Sequence, residues 1–113
     1  MTVVYEHQHK KETITEGRTR YLAYSENLMM VVFTFEDGPA IAPDTPHQHP
    51  HEQITYVVEG SLIFFIRETS YKLEKGDMIV VPPNTDHTIQ TLTSYVRLVD
   101  TFHPLREEFL NLD

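Results

Sequence analysis

The chain has 113 residues, a length that suits one compact domain with a hydrophobic core, so we predict a single domain over residues 1–113. It has no cysteine, which excludes disulfide frameworks and thiol nucleophiles and leaves only nitrogen and oxygen side chains as metal ligands. Its formal net charge of -8 argues against nucleic acid and anionic membranes as partners, since both require a basic surface.

The first residues carry no targeting signal. The start, MTVVYEHQHKKET, lacks a basic segment followed by an apolar core, and no apolar run approaches the length that spans a bilayer. We therefore expect a cytoplasmic protein that does not enter a membrane. The more polar stretch that follows, KKETITEGRTRYLAYSEN, is expected to form edge strands.

Short β-rich runs recur between turn signals along the rest of the chain. In order they are LMMVVFTF, ITYVV, SLIFFI, MIVV and SYVRLVDTF. Their even spacing predicts an antiparallel barrel or sandwich. We interpret Glu59-Gly60 and Gly76-Asp77 as tight hairpin turns, because glycine accepts the positive φ that such turns require.

The segment PLREEFLNL, from Pro104 to Leu112, is typical of a helix. Proline suits the first helical position, and the acidic pair Glu107 and Glu108 lies near the positive end of the helix dipole. We expect one or two turns, so the prediction is an all-β domain with one short C-terminal helix.

The stretch PHQHPHEQITYVVEG holds a dense group of candidate metal ligands. Because residues two apart on a strand share a face, His47, His49 and Gln53 have the parity to converge on one point. Pro50 cannot donate to a strand ladder, so the residues before it are expected to form a loop, and the direction of His51 stays open. From these residues alone, a solvated polar loop and a metal site are both possible.

A second stretch, GDMIVVPPNTDH, adds one more imidazole. Together the two stretches resemble the two motifs of the cupin family, G-x5-H-x-H-x3,4-E-x6-G and G-x5-P-x-G-x2-H-x3-N, at about residues 38–60 and 76–91. The matching residues are His47, His49, Gly60, Gly76, Pro82 and His87. The resemblance implies an antiparallel cupin barrel, the double-stranded β-helix or jelly roll.

Three residues depart from the cupin motifs. Gln53 replaces the glutamate, Asn84 replaces a glycine and Thr91 replaces an asparagine. Asparagine adopts the left-handed conformation readily, so the turn at Asn84 is expected to survive. Glutamine is neutral, so three imidazoles and Gln53 would leave a divalent ion its full charge.

The resemblance also implies a cofactor, one divalent metal ion bound by four side chains. The implied ligands are His47, His49, Gln53 and His87. Nickel, zinc, manganese and iron(II) all accept such a mixed nitrogen and oxygen shell, and the sequence does not choose among them.

A carboxylate stands among apolar residues near the C-terminus. On the strand YVRLVDTF, Asp100 shares a face with Val96, Leu98 and Phe102. A buried carboxylate is costly unless it is paired or used in chemistry. A structural ion pair with Arg106 is one interpretation, and a role in an active site is the other.

The segment DTFHPLREEFL, with YSENLMMVVFTF and HPHEQITYVVEG, resembles the KdgF-type cupins of uronate catabolism over about Tyr24 to Leu110. The resemblance implies a metal-dependent enzyme that converts cyclic 4,5-unsaturated uronates, released from pectin or alginate, into their linear keto form. In that interpretation Asp100 moves a proton, Arg106 holds the carboxylate of the small anionic sugar, and Phe102 forms an apolar wall.

Two other functions are weighed against this enzyme, because cupins are chemically diverse. A metal-dependent dioxygenase is disfavoured by the missing carboxylate ligand. A non-catalytic sugar-binding cupin is the other alternative. By analogy with small barrels that leave strand edges exposed, we expect a homodimer in which the N-terminal segment covers an edge of the second subunit.

Overall fold

The computed structural model describes residues 3–110, and within this range the chain folds into nine β-strands and one 3₁₀ turn. The strands are β1 (Glu12–Thr15), β2 (Arg18–Tyr24), β3 (Met29–Phe35), β4 (Glu52–Glu59), β5 (Ser61–Ile66), β6 (Thr69–Glu74), β7 (Met78–Val81), β8 (His87–Thr91) and β9 (Val96–His103). The predicted all-β fold is confirmed. No helix in this part of the chain has the length and apolar character needed to cross a bilayer.

The strands form two antiparallel sheets. The larger sheet has the order β1-β2-β3-β9-β4-β7, and the smaller has the order β6-β5-β8. β1 and β7 are therefore the edges of the larger sheet. The prediction of edge strands in the N-terminal segment is right for β1, whereas β2 pairs with a neighbour on both sides.

The predicted hairpin turns at Glu59-Gly60 and Gly76-Asp77 are wrong. Both glycines have positive φ, 85° at Gly60 and 96° at Gly76. However, β4 and β5 do not pair with each other, and neither do β6 and β7. Each glycine instead lies at a corner where the chain leaves one sheet for the other.

The C-terminal helix is shorter than predicted. A single 3₁₀ turn covers Glu107–Phe109, and the backbone of Arg106 before it is extended, with φ -86° and ψ 91°. Pro104 therefore does not occupy the first helical position. The last predicted helical residues, Asn111 and Leu112, lie outside the described residues.

The core lies between the two sheets and is built from alternate residues of the strands. It consists of Phe35, Val57, Leu62, Phe64, Leu73, Val81, Val96 and Leu98. A second buried cluster of Met29, Val31 and Phe102 lies on β3 and β9 of the larger sheet. Because successive strand residues point to opposite faces, the same alternation directs Gln53, Thr55 and Asp100 inward.

Candidate metal centre and active site

Two of the predicted ligands, His47 and His87, are brought together by the backbone. His47 forms an isolated antiparallel bridge with His87, the first residue of β8. The His47 N–H donates to the His87 carbonyl at 3.0 Å, and the His87 N–H donates to the His47 carbonyl at 2.9 Å. Their ring centroids lie 4.3 Å apart, so residues forty positions apart in the chain become neighbours.

A backbone hydrogen bond also ties His49 to the second motif. The N–H of Asn84 donates to the His49 carbonyl at 2.8 Å. Asn84 has a φ of 56°, so the expectation that asparagine would take the left-handed conformation here is confirmed. The turn that holds His49 in place is therefore the same turn that leads the chain to His87.

Three imidazoles form a group with the spacing of a metal site. The candidate ligand atoms of His47, His49 and His87 all lie within 4.8 Å of one another. The Nε2 of His49 lies 3.0 Å from the Oε1 of Gln53. The Gln53 Nε2 donates to the Thr55 hydroxyl at 2.9 Å, so Thr55 orients the amide with its oxygen toward the histidines.

The chemistry of the donor atoms fits a metal ion. The Nδ1–H of His87 donates to the Thr85 carbonyl at 2.8 Å, which leaves Nε2 as the nitrogen with a lone pair. This Nε2 is buried and has no hydrogen-bond partner within residues 3–110. A backbone carbonyl on one ring nitrogen and a free lone pair on the other is the usual arrangement of a metal-binding histidine.

The histidines are held in the neutral form that a cation requires. Burial, together with the positive charge of Arg106, lowers the pKa of His49 to about 4. Burial likewise lowers the pKa values of His47 and His87 below 6.5. Because a metal ion competes with protons for the imidazole lone pair, neutral histidines near pH 7 favour metal binding.

Asp100 lies beside this group and is almost fully buried. Its carboxylate accepts a hydrogen bond from the Thr55 hydroxyl at 2.6 Å, and its residue exposure is 8%. Burial raises the pKa of Asp100 to about 6, although the Thr55 hydrogen bond and the charge of Arg106 oppose the increase. A carboxyl group with this pKa can accept or donate a proton near neutral pH.

Arg106 does not form the structural ion pair with Asp100 that was one interpretation of the sequence. Its Nε donates to Glu108 Oε1 at 2.7 Å, and within residues 3–110 this is its ion pair. The guanidinium carbon lies 4.2 Å from the ring centroid of Phe109 and 5.2 Å from that of Phe102. Asp100 therefore has no salt bridge within residues 3–110, and its role in an active site stays a prediction.

A cavity of about 660 Å³ is lined by most of these groups, although not by His49 or Thr55. Its lining includes His47, Gln53, His87, Asp100, Arg106 and Arg20. Apolar side chains from both sheets, Phe33, Phe64 and Leu98 among them, form other parts of the wall. A pocket with a mostly apolar wall and a few convergent polar groups is typical of a small-molecule site.

Comparison with known proteins gives the family. Residues 31–102 match the Cupin domain family model. The chain is 36% identical over 101 residues to the pectin degradation protein KdgF of Dickeya dadantii (strain 3937), covering 88% of this chain and 89% of that protein. The chain belongs to the cupin family, among the KdgF-type cupins.

Two further comparisons bear on this cupin. The structure of KdgF from Halomonas sp. superposes with a TM-score of 0.87 at 32% identity, covering 97% of this chain and 99% of that chain. An acireductone dioxygenase of Heterostelium pallidum is 40% identical over 52 residues, but the match covers only 42% of this chain and 35% of that protein. The KdgF likeness thus extends over nearly the whole cupin, and the dioxygenase likeness does not.

Phe102 and His51 pack beside the histidine group. Phe102 is 1% exposed and lies edge-on to His49, with ring centroids 5.7 Å apart. The Nε2–H of His51 donates to the Leu105 carbonyl at 3.0 Å, and its Nδ1 is buried without a hydrogen-bond partner in the described chain. Tyr56 is 41% exposed and shares the strand face of Ile54 and Glu52, opposite Gln53.

Sequence reasoning missed two residues of the site, Thr55 and Arg20. Strand parity identifies Thr55, since it shares the inward face of β4 with Gln53. Arg20 belongs to a segment that looks like a polar edge, and a pairing of β2 with β3 brings it to the cavity. Arg18 and Arg20 are two residues apart and therefore lie on the same face of β2. The sequence does not show that this face lines a cavity.

Proposed function

We propose that this KdgF-type cupin is a metal-dependent enzyme that converts cyclic 4,5-unsaturated uronates into their linear keto form. The observation that carries the proposal is the linked set Gln53–Thr55–Asp100, in which one hydroxyl connects a candidate metal ligand to a buried carboxyl group. The two ends of this set, Gln53 and Asp100, line the same cavity as His47 and Arg106. The similarity to pectin degradation protein KdgF supports the same substrate class.

The proposed metal ligands are His47, His49, Gln53 and His87. When bound, the ion would supply Lewis acidity that polarises substrate oxygens. Nickel, zinc, manganese and iron(II) all suit these ligands. Elemental analysis of protein purified without added metal would identify the ion.

Asp100 is proposed to move the proton of the reaction. Its carboxylate would take the proton of the anomeric hydroxyl as the bond between C1 and the ring oxygen breaks, which yields an aldehyde at C1 and an enolate on the former ring oxygen, with the proton held by Asp100. Delivery of a proton to C4 then gives the keto form, so the step is an isomerisation with no other reactant. Asp100 has a pKa of about 6, which suits both halves of this transfer.

Arg106 and Phe102 are proposed to position the sugar. The guanidinium of Arg106 would hold the sugar carboxylate through parallel hydrogen bonds. Phe102, predicted as an apolar wall, contacts His49 and Arg106, so a Phe102→Ala substitution is also expected to loosen both of those groups.

The test is a spectroscopic assay. Unsaturated galacturonate, freshly released by a pectate lyase, has a conjugated ultraviolet band that disappears on conversion to the keto form. Metal-loaded protein should accelerate the loss of this band, and chelator-treated protein should not. Equal rates with and without protein would refute the proposed reaction.

A second candidate is a cupin dioxygenase, which the local similarity to an acireductone dioxygenase favours. Against it, glutamine at position 53 deprives the site of the carboxylate ligand expected for a two-histidine, one-carboxylate oxygenase site. Oxygen uptake on addition of substrate would support this candidate. A sugar-binding protein without activity, the third possibility, would bind the uronate tightly and leave its ultraviolet band unchanged.

We also propose that the protein is a cytoplasmic homodimer. Exposed apolar side chains on β4 and β7, including Ile54, Met78 and Val80, support an interface on the outer face of the larger sheet. This is a different surface from the cavity.

A further inference from the structure

Arg20 carries hydrogen-bond donors that the protein itself does not use. Its Nε donates to Glu12 Oε2 at 2.9 Å, and its side chain is 17% exposed. Within residues 3–110, its two terminal nitrogens make no hydrogen bond to the protein. Because Arg20 lines the cavity and a guanidinium carries its N–H donors in a fixed fork, these nitrogens are available to a ligand there.

Arg106 is held in the same way. Its side chain is 15% exposed, its Nε is bound by Glu108, and its terminal nitrogens likewise have no recorded partner in the described chain. Both guanidinium carbons lie 4.2 Å from the ring centroid of Phe109. The two guanidinium carbons are therefore at most twice 4.2 Å apart. Both arginines line the cavity.

Arg18, on the same strand, is an arginine whose hydrogen bonds are all made within the fold. Its two terminal nitrogens donate to the carboxylate of Asp44 at 2.7 and 3.1 Å, and its Nε donates to Asp37 at 2.9 Å. Every nitrogen of this guanidinium is thus satisfied by the fold. Arg20, two residues later, lines the same cavity but keeps its outer nitrogens free.

Two partly buried guanidiniums near one ring repel each other, and an anion in the cavity that contacts both of them would offset that repulsion. A carboxylate has two oxygens and the planar geometry that guanidinium forks recognise. In a chain with a formal net charge of -8, such a local concentration of positive charge is the feature that would attract an acidic sugar.

We propose that Arg20 is a second substrate-binding residue, which shares the carboxylate of the uronate with Arg106. The proposal rests on the proposed function for the identity of the substrate. It assigns Arg20 to binding and not to proton transfer, because Asp100 already has that role. It also explains why β2 belongs to the site although it carries none of the proposed metal ligands.

The test compares Arg20→Gln with Arg18→Gln, which removes the same charge from the same strand and cavity. Arg20→Gln should raise KM for the unsaturated uronate by about tenfold or more, the value of one lost charge-assisted hydrogen bond, with little change in kcat or metal content. Arg20→Lys keeps the charge but loses the forked pair of donors, so its KM should lie between those of wild type and Arg20→Gln. Arg18→Gln should lower thermal stability and leave KM within about twofold.

Binding without turnover separates this proposal from the proposed reaction. Calorimetry with metal-loaded protein would compare galacturonate with galactose, which lacks the carboxylate. Wild type should prefer galacturonate, and Arg20→Gln should lose most of that preference. The same galacturonate affinity in both proteins, or no preference in wild type, would overturn the role of Arg20. A clear preference combined with an unchanged ultraviolet band would instead reject the proposed reaction alone.

Discussion

The amide of Gln53 is oriented by a hydroxyl that has only one proton to give. Thr55 accepts a hydrogen bond from Gln53 Nε2 and donates its own proton to Asp100. The direction of this chain keeps the Gln53 oxygen on the side of the histidines. The neutral amide of Gln53, a proposed metal ligand, is therefore coupled through Thr55 to the ionisation of Asp100.

Gln53→Glu is predicted to bind the metal more tightly and the anionic substrate more weakly. The added negative charge attracts the cation and repels the sugar carboxylate. Because both lie within one site, the changes in metal affinity and in substrate affinity are each expected to be about tenfold. Competition with a chelator would measure the first effect, and KM would measure the second. A substrate affinity equal to that of wild type would contradict the electrostatic argument.

His87→Ala and Asp100→Asn are predicted to fail in different ways. Removing the His87 imidazole deletes a proposed ligand, so metal affinity should fall by more than the roughly 10- to 100-fold that loss of a group orienting a ligand costs. Asp100→Asn should keep its metal and lose most activity, because an amide cannot accept the proton. His7→Ala, which changes an exposed histidine outside the group, is the control, and it should match wild type in both assays. A His87→Ala protein that retains its metal would disprove the ligand assignment.

The buried carboxyl of Asp100 is predicted to destabilise the metal-free fold as pH rises. Burial raises its pKa from 3.8 to about 6, so the folded state binds this proton more tightly than the unfolded chain does. The stabilising contribution is complete below the unfolded pKa and is lost as pH rises through the folded pKa.

Asp100→Asn removes this titration, so the variant should gain stability relative to wild type by about 2 kcal/mol between pH 4 and pH 8. The histidine titrations are present in both proteins and largely cancel in the difference. Urea unfolding in the presence of chelator would measure it. A difference in unfolding free energy that stays constant with pH would contradict the raised pKa.

At the level of the strands, the two corner glycines are not equivalent. A Cβ on Gly60 would clash with the Tyr95 carbonyl oxygen, whereas a Cβ on Gly76 meets no heavy atom within 4 Å. Both residues have positive φ, so alanine is strained at either position. The two positions therefore differ in the steric contact that a Cβ would make, not in backbone conformation.

Gly76→Ala is therefore predicted to cost about 1 kcal/mol of stability, the usual penalty of a left-handed alanine. Gly60→Ala should cost about 3 kcal/mol or more, because β5 or the loop before β9 must also shift. Denaturant unfolding of the two variants would test this. Equal losses of unfolding free energy would contradict this prediction, because they would mean that the residues around Gly60 move aside at little cost.

The strands and the inward parity of Gln53 and Asp100 could be predicted from the sequence, because alternation is a local signal. The partners of the strands could not. Glu59-Gly60 between two apolar runs looks the same whether the strands pair or separate, and the choice depends on contacts with β9 and β7 that lie far along the chain. The bridge between His47 and His87, the hydroxyl link at Thr55 and the contribution of Arg20 are long-range in the same sense.

For the molecule as a whole, the outer face of the larger sheet carries a row of mostly apolar side chains, interrupted by Thr101. Register aligns Met30 with Thr101, Thr101 with Ile54, and Ile54 with Val80. Met30 is 50% exposed, Ile54 47% and Val80 66%. The row ends on β7, an edge strand whose outer backbone groups have no strand partner in the described chain. An exposed apolar face beside an open edge is a surface that proteins usually cover.

A Val80→Lys substitution is predicted to convert the proposed homodimer into a monomer, because it places a charge at the edge of this row. Tyr71→Lys is the matched control, since Tyr71 is also exposed, at 45%, but lies on β6 of the smaller sheet. Sedimentation should give a dimer for wild type and Tyr71→Lys and a monomer for Val80→Lys. Since the cavity faces the interior between the sheets, monomeric Val80→Lys should keep its metal and its activity. A dimer that survives Val80→Lys would move the interface elsewhere, with β1 at the opposite edge as the next strand to test.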